Sequence, residues 1–95
     1  KQNNQIIKPY KVSEGGVTGT VADPKRIYKA ALENNAANII LCHNHPSDNL
    51  TPSLQDIKIT EKLVNAGKQL DIAVLDHIIV ASSGYYSFAD EGKIS

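Results

Sequence analysis

The chain has 95 residues, and its ten basic residues balance its ten acidic ones. This length suits one hydrophobic core, so we expect residues 1–95 to form a single domain. The balanced charge gives no support for binding a nucleic-acid backbone, and the longest apolar stretch, NIILC, is too short to cross a membrane. Because a single cysteine excludes an internal disulfide, we predict a reducing compartment, with the cytoplasm as the default.

The first third of the chain predicts two short strands and a helix. Residues 6–12 and 17–21 are rich in β-branched side chains, and Gly15-Gly16 between them predicts a turn. Asp23 then supplies an N-cap acceptor before a proline, which predicts a helix over residues 24–34.

The remaining two thirds predict a strand, a second helix and two or three further strands. Residues 36–42, AANIILC, form a continuous apolar run typical of a strand covered on both faces. After a polar loop, Thr51-Pro52 repeats the cap-then-proline pattern, and a helix is predicted from Ser53 to about Ala66 with Gly67 as its stop. Residues 70–81 predict one or two strands, and residues 85–90 a short last one. This order predicts an α/β or α+β domain with a mixed sheet.

Two histidines stand one residue apart where the apolar run ends. Side chains alternate along a strand, so His43 and His45 are predicted to share one face while Cys42 points to the other. After a short loop, Ser53 and Asp56 fall in the first helical turn, where residues three apart share a face. The helix start can therefore bring Asp56 back to the two histidines.

Two imidazoles and one carboxylate form a zinc-type ligand set. Three protein ligands leave a fourth position for water, which is typical of catalytic sites. Zinc would acidify that water, and Ser53 would lie close enough to donate a hydrogen bond to an oxyanion. Ser53-x-x-Asp56 also fits a helix cap, and the serine can serve both purposes.

Three nearby residues have simpler interpretations. His77 lies on a different predicted strand without a partner at ligand spacing, so we interpret it as structural, in contact with the sheet or with the rear of the site. Cys42 is interpreted as a packed free thiol. Asp48, in the loop, fits either substrate binding or ordinary solvation.

The run HNHPSDNLTPSLQD matches the His-x-His-(seven residues)-Ser-x-x-Asp signature of the JAMM/MPN metalloprotease-like families. The segments ALENNAANIILCHNHPS, LDHIIV and YYSFADEG resemble in particular the bacterial RadC family, and the similarity covers nearly the whole chain from about Ile6. The resemblance implies a cytidine-deaminase-like, three-layer α/β/α fold with a mixed sheet. It also implies His43, His45 and Asp56 as zinc ligands and Ser53 as the oxyanion stabiliser.

The resemblance further implies a glutamate that acts as general acid and base. Active members of these families cleave amide or isopeptide bonds and take this glutamate from an earlier strand. In RadC-like chains the matching strand precedes the segment equivalent to Lys1, so we expect this sequence to lack it. Glu14 is the one acidic residue before Gly15 and is the candidate within the sequence, although it lies in a predicted turn.

Three functions follow as hypotheses. The first is a zinc-dependent hydrolase that acts on an amide bond in a peptide or protein substrate. The second is a non-catalytic protein-interaction module, a role known among JAMM/MPN relatives, although such members usually lose metal ligands. The third is the DNA-repair role traditionally attached to RadC-like proteins, for which the balanced charge gives no physical support.

Overall fold

The computed structural model describes residues 23–45 and 48–94. The strands predicted over residues 6–12 and 17–21, the turn between them and Glu14 lie outside these residues. The described residues form two helices and three strands, in the order α1 (Pro24–Glu33), β1 (Asn38–Asn44), α2 (Leu54–Leu70), β2 (Ala73–Ala81) and β3 (Gly84–Ser87).

The three described strands form one mixed sheet in the order β1-β2-β3. β1 and β2 run parallel, with a shift of register between Ile39 and Ile40, whereas β2 and β3 form an antiparallel pair. A parallel pair needs a crossover connection, which α2 supplies. The predicted α/β class and mixed sheet are confirmed. Since α2 starts where β1 ends, its first turn lies at the edge of the sheet where the histidines emerge.

One apolar cluster joins the two helices to β2. The hydroxyl of Tyr28 on α1 donates a hydrogen bond to the carbonyl of Leu63 on α2, 2.5 Å away. The cluster removes the apolar faces of both helices from water, which is the main favourable term in folding. Its buried members are Ile27, Tyr28, Ala31, Leu63, Ile72 and Val74.

The bounds of α1 agree with the sequence-based prediction, but the end of α2 does not. α1 begins at Pro24 behind the N-cap Asp23 and ends at Glu33, one residue earlier than predicted. α2 continues past Gly67 to Leu70, so the predicted stop at Gly67 is wrong.

Close packing explains the glycine in α2. A Cβ atom at Gly67 would collide with the carbonyl oxygen of Ile72 and lie 2.7 Å from the Tyr28 hydroxyl. The C-cap is instead Asp71, directly after Leu70, and it adopts the left-handed conformation (φ 56°, ψ 38°) that often closes helices.

The strands differ from their predicted bounds by a few residues. β1 lies two residues further along than the predicted strand over residues 36–42, and residues 70–81 contain the single strand β2. The last strand is shorter than predicted, because a turn begins after Ser87. Within residues 23–45 and 48–94, no helix is long and apolar enough to span a membrane.

Candidate metal centre

His43 near the end of β1 and His45 directly after β1 lie on one face of the sheet. Both histidines are half-buried. Cys42, which precedes them, and Asn44, which lies between them, are exposed, so the predicted alternation is confirmed. The backbone N–H of His45 donates to the carbonyl of Val80 on β2, at 3.0 Å, which holds the second histidine beside the strand end. Cys42 points away from the histidines, and its thiol is exposed, so the packed thiol predicted from the sequence is wrong.

Reciprocal hydrogen bonds between Ser53 and Asp56 close the first turn of α2. The Asp56 backbone N–H donates to Ser53 Oγ at 3.0 Å, and the Ser53 backbone N–H donates to Asp56 Oδ2 at 2.8 Å. This is a capping box, which satisfies two N–H groups that the helix itself leaves unpaired. The capping role predicted for Ser53 is confirmed, and the cap predicted at Thr51 is wrong. The box also fixes the orientation of the Asp56 carboxylate.

The Asp56 carboxylate faces both histidines. Its Oδ1 lies 3.5 Å from His43 Nε2, and its Oδ2 lies 3.1 Å from His45 Nε2. One ligand atom from each of the three residues can be chosen such that all lie within 4.8 Å of one another. Tetrahedral zinc with bonds of about 2.0–2.1 Å separates its ligands by about 3.3–3.5 Å. The donor set and its spacing therefore suit a zinc ion.

The second nitrogen of each ring contacts another group. His45 Nδ1 lies 2.8 Å from the carbonyl oxygen of Asn49, and His43 Nδ1 lies 2.9 Å from His77 Nε2. A metal-binding histidine commonly uses its second ring nitrogen in this way, which fixes the ring orientation. The Nε2 atoms are left facing Asp56.

The charges at the site favour a neutral His43 and an ionised Asp56. Burial lowers the pKa of His43, and the nearby His45 adds to this effect, although the Asp56 carboxylate opposes it. Burial by itself would raise the pKa of Asp56, but hydrogen bonds from the Ser53 backbone and side chain and from His45, with the charge of His43, lower it overall. Both residues are thus in the protonation state that a metal ligand requires.

His77 and Thr60 lie behind His43 and were not predicted to act together. His77 is 4% exposed, and its Nδ1 lies 2.6 Å from Thr60 Oγ1. Burial lowers the pKa of His77 to about 4, with a further contribution from His43. The Phe88 ring stacks on His77, with centroids 4.6 Å apart and planes 7° apart. The buried position and the contact with His43 agree with the structural role predicted for His77 at the rear of the site, whereas the part played by Thr60 was missed. The spacing of Asp56 and Thr60, four residues apart on one helical face, was the available signal.

Asp48 contacts the turn between β2 and β3. Its Oδ1 accepts a hydrogen bond from Ser82 Oγ, and its backbone carbonyl accepts one from Ser83 Oγ at 3.1 Å. These contacts connect the loop that follows the histidines to the end of β2. They account for the polar side chain of Asp48 without a substrate.

Comparison with known proteins gives the family of the chain. A family model described as "RadC-like JAB domain" matches residues 1–93, so the chain belongs to the RadC-like JAB domain family. A UPF0758 protein of Flavobacterium johnsoniae is 48% identical over 90 residues, which are 95% of this chain and 39% of that protein. A UPF0758 protein of Methanococcoides burtonii is 46% identical over 92 residues, 97% of this chain and 40% of that protein. The chain thus spans about two fifths of the length of these relatives.

The family assignment agrees with the chemistry of the cluster. JAB/JAMM domains are of the metallohydrolase type and typically bind zinc. The described residues contain a cluster of His43, His45 and Asp56 that could hold a metal. The predicted resemblance to the RadC family is confirmed.

We expect the charge of Asp56 to stabilise the fold in a pH-dependent way. Because its pKa is lower in the folded chain than its ordinary value of 3.8, its contribution is full above that value and is lost as the pH falls through the folded pKa. Without metal, Asp56→Asn should lower the free energy of unfolding at pH 7 by about 1–2 kcal/mol. Urea denaturation in chelating buffer over a pH series measures this difference. A difference that persists at the lowest pH would contradict the expectation.

Proposed function

We propose that this domain binds zinc through His43, His45 and Asp56 and hydrolyses an amide or isopeptide bond in a peptide or protein substrate. The observation that supports the proposal most is the convergence of three ligand atoms within 4.8 Å of one another. They come from two different elements, the end of β1 and the first turn of α2. Membership of the RadC-like JAB domain family, whose domains are of the metallohydrolase type, supports the same interpretation.

The composition of the ligand set favours a catalytic over a structural zinc site. Structural zinc sites are usually closed by four protein ligands, mostly cysteines, whereas catalytic sites use three protein ligands. The described cluster offers two histidines and one aspartate, and Cys42 points away from it. A zinc ion held there would acidify a water molecule to a pKa of about 7 and polarise a substrate carbonyl.

Ser53 is suited to stabilise the charge that develops on the substrate oxygen. Its Oγ accepts a hydrogen bond from the backbone of Asp56, so the serine is held one turn from the proposed ligands. Accepting this bond uses a lone pair of the oxygen. The hydroxyl proton, which hydrogen-bonds the Asp56 carboxylate in the metal-free chain, would be donated to the substrate oxygen once zinc occupies that carboxylate. Donation to a developing oxyanion stabilises the transition state more than the ground state.

A general base must come from another part of the protein. The cluster in the described residues contains one carboxylate, that of Asp56, which the metal would occupy. We assign the base to the glutamate that the family resemblance implies on an earlier strand. Glu14 is the candidate within this sequence, and it lies outside the described residues.

Metal content tests the first part of the proposal. The intact protein should take up one zinc ion per chain, and His43→Ala, His45→Ala and Asp56→Ala should each lose stoichiometric zinc. Cys42→Ser is the matched control and should retain it, because its side chain faces away from the cluster. Elemental analysis after dialysis measures the content. Wild-type protein without zinc, or His43→Ala with as much zinc as wild type, would contradict the metal site.

Substitution of Ser53 tests the catalytic part. Zinc-loaded intact protein should cleave members of a library of peptides and lysine-isopeptide conjugates, with products detected by mass spectrometry. Removal of an oxyanion donor costs about 10²–10³-fold in kcat, so both Ser53→Ala and Ser53→Gly should lose activity. The two variants differ in stability, because replacing a capping serine by alanine costs about 1 kcal/mol and by glycine only a few tenths.

This pair separates catalysis from capping. A rate loss shared by both variants supports the oxyanion role, whereas a loss confined to Ser53→Ala assigns it to the helix cap. Zinc-bound wild-type protein that cleaves nothing in the library, but retains a protein partner, would favour the interaction module over the hydrolase.

A further inference from the structure

The direction of each hydrogen bond behind His43 can be deduced from the Thr60 hydroxyl. Thr60 Oγ1 lies 2.6 Å from the backbone carbonyl oxygen of Asp56 and 2.6 Å from His77 Nδ1. The hydroxyl has one proton, and a carbonyl oxygen can only accept, so this proton is donated to Asp56. Thr60 Oγ1 must then accept a hydrogen bond from His77, whose Nδ1 therefore carries a proton.

The proton on Nδ1 of His77 determines the role of its other nitrogen. The ring is 4% exposed and has an uncharged hydroxyl on one nitrogen and an imidazole on the other, surroundings that favour the neutral form. A neutral imidazole with a proton on Nδ1 has a lone pair on Nε2. His43 Nδ1, 2.9 Å away, must therefore donate to it.

His43 is thereby left with its lone pair on Nε2. This atom faces Asp56 Oδ1 at 3.5 Å, on the side where the proposed metal would lie. The opposite tautomer of His43 would place a proton between these two atoms and block a metal. The order of donors and acceptors from His43 to Thr60 thus determines whether His43 can act as a ligand.

The relay formed by His43, His77 and Thr60 returns to the cluster. It ends on the backbone carbonyl of Asp56, the residue whose side chain is the third proposed ligand. Phe88 stacks on His77 and restricts its ring plane. His45 has a separate acceptor, the carbonyl of Asn49, so the two histidines are oriented by independent contacts.

We propose that His77 and Thr60 are positioning residues that hold His43 in the tautomer with a proton on Nδ1 and a free Nε2. The inference rests on the proposed function, because it assigns them to the same metal site. It extends that function from the three ligands to a buried relay contributed by β2 and α2. A purely structural pair would satisfy buried polar groups without determining the tautomer of His43.

Two substitutions at Thr60 separate the positioning role from simple packing. Thr60→Val keeps the shape of the side chain but removes the acceptor for His77, so His77 is expected to move its proton to Nε2 and His43 to lose its free Nε2. Thr60→Ser retains the hydroxyl and should restore the relay. Tyr28→Phe is the matched control, because it removes another buried hydrogen bond from the core without touching the relay.

The first measurement is histidine tautomer state in the metal-free intact protein. Long-range ¹H–¹⁵N spectra of protein with ¹⁵N-labelled histidine distinguish protonated from unprotonated ring nitrogens. We expect His43 to carry its proton on Nδ1 in the wild type, in Thr60→Ser and in Tyr28→Phe, and on Nε2 in Thr60→Val. His45 is an internal control and should keep its proton on Nδ1 throughout. Wild-type His43 with its proton on Nε2 would overturn the inference, whether or not Thr60→Val folds.

The second measurement is zinc affinity, determined by competition with a chelator of known strength. Loss of a group that orients a metal ligand costs about 10–100-fold in affinity, which is the decrease expected for Thr60→Val. Thr60→Ser and Tyr28→Phe should bind zinc like the wild type. Wild-type affinity in Thr60→Val would overturn the inference. Wild-type protein with the expected tautomer but no zinc uptake would overturn the proposed function instead.

Discussion

The structure of the site depends on the pair of hydrogen bonds between Ser53 and Asp56. Asp56 Oδ2 accepts from the Ser53 backbone, at 2.8 Å, and this bond both starts α2 and aims the carboxylate at the histidines. α2 crosses from the end of β1 to the start of β2, so its first turn lies at the edge where His43 and His45 emerge. One local cap thus joins helix, sheet and proposed metal centre.

The same groups therefore contribute to folding and to the proposed chemistry. Asp56 caps with Oδ2, faces a histidine with each oxygen, and accepts the end of the His77–Thr60 relay on its own carbonyl. Ser53 accepts a backbone bond with the oxygen whose proton we assign to the oxyanion. A domain of this size buries a limited apolar core, so a metal that draws these groups together would also stabilise the fold.

The spacing of residues along the sequence was enough to predict the cluster. It was not enough to predict which residues of different elements contact one another. His43, His45, Ser53 and Asp56 follow from alternation along a strand and from the three-residue spacing in a helical turn. The contact of His77 with His43 depends on the register of the parallel strands β1 and β2. This register includes a shift between Ile39 and Ile40 that no pattern in the sequence predicts. The prediction that Gly67 ends α2 was wrong because the sequence does not distinguish a glycine that ends a helix from one that makes room for close packing. Leu54 fits the apolar period of α2 but is 66% exposed, since periodicity does not say what covers the first turn.

The most direct test of the proposed centre is X-ray absorption at the zinc edge of the zinc-loaded intact protein. We expect a four-coordinate site with two imidazole nitrogens at about 2.0–2.1 Å and oxygen ligands at about 2.0–2.2 Å, from Asp56 and water. A sulfur ligand at about 2.3 Å, or a spectrum with fewer than two imidazoles, would show that the metal is not held by His43, His45 and Asp56.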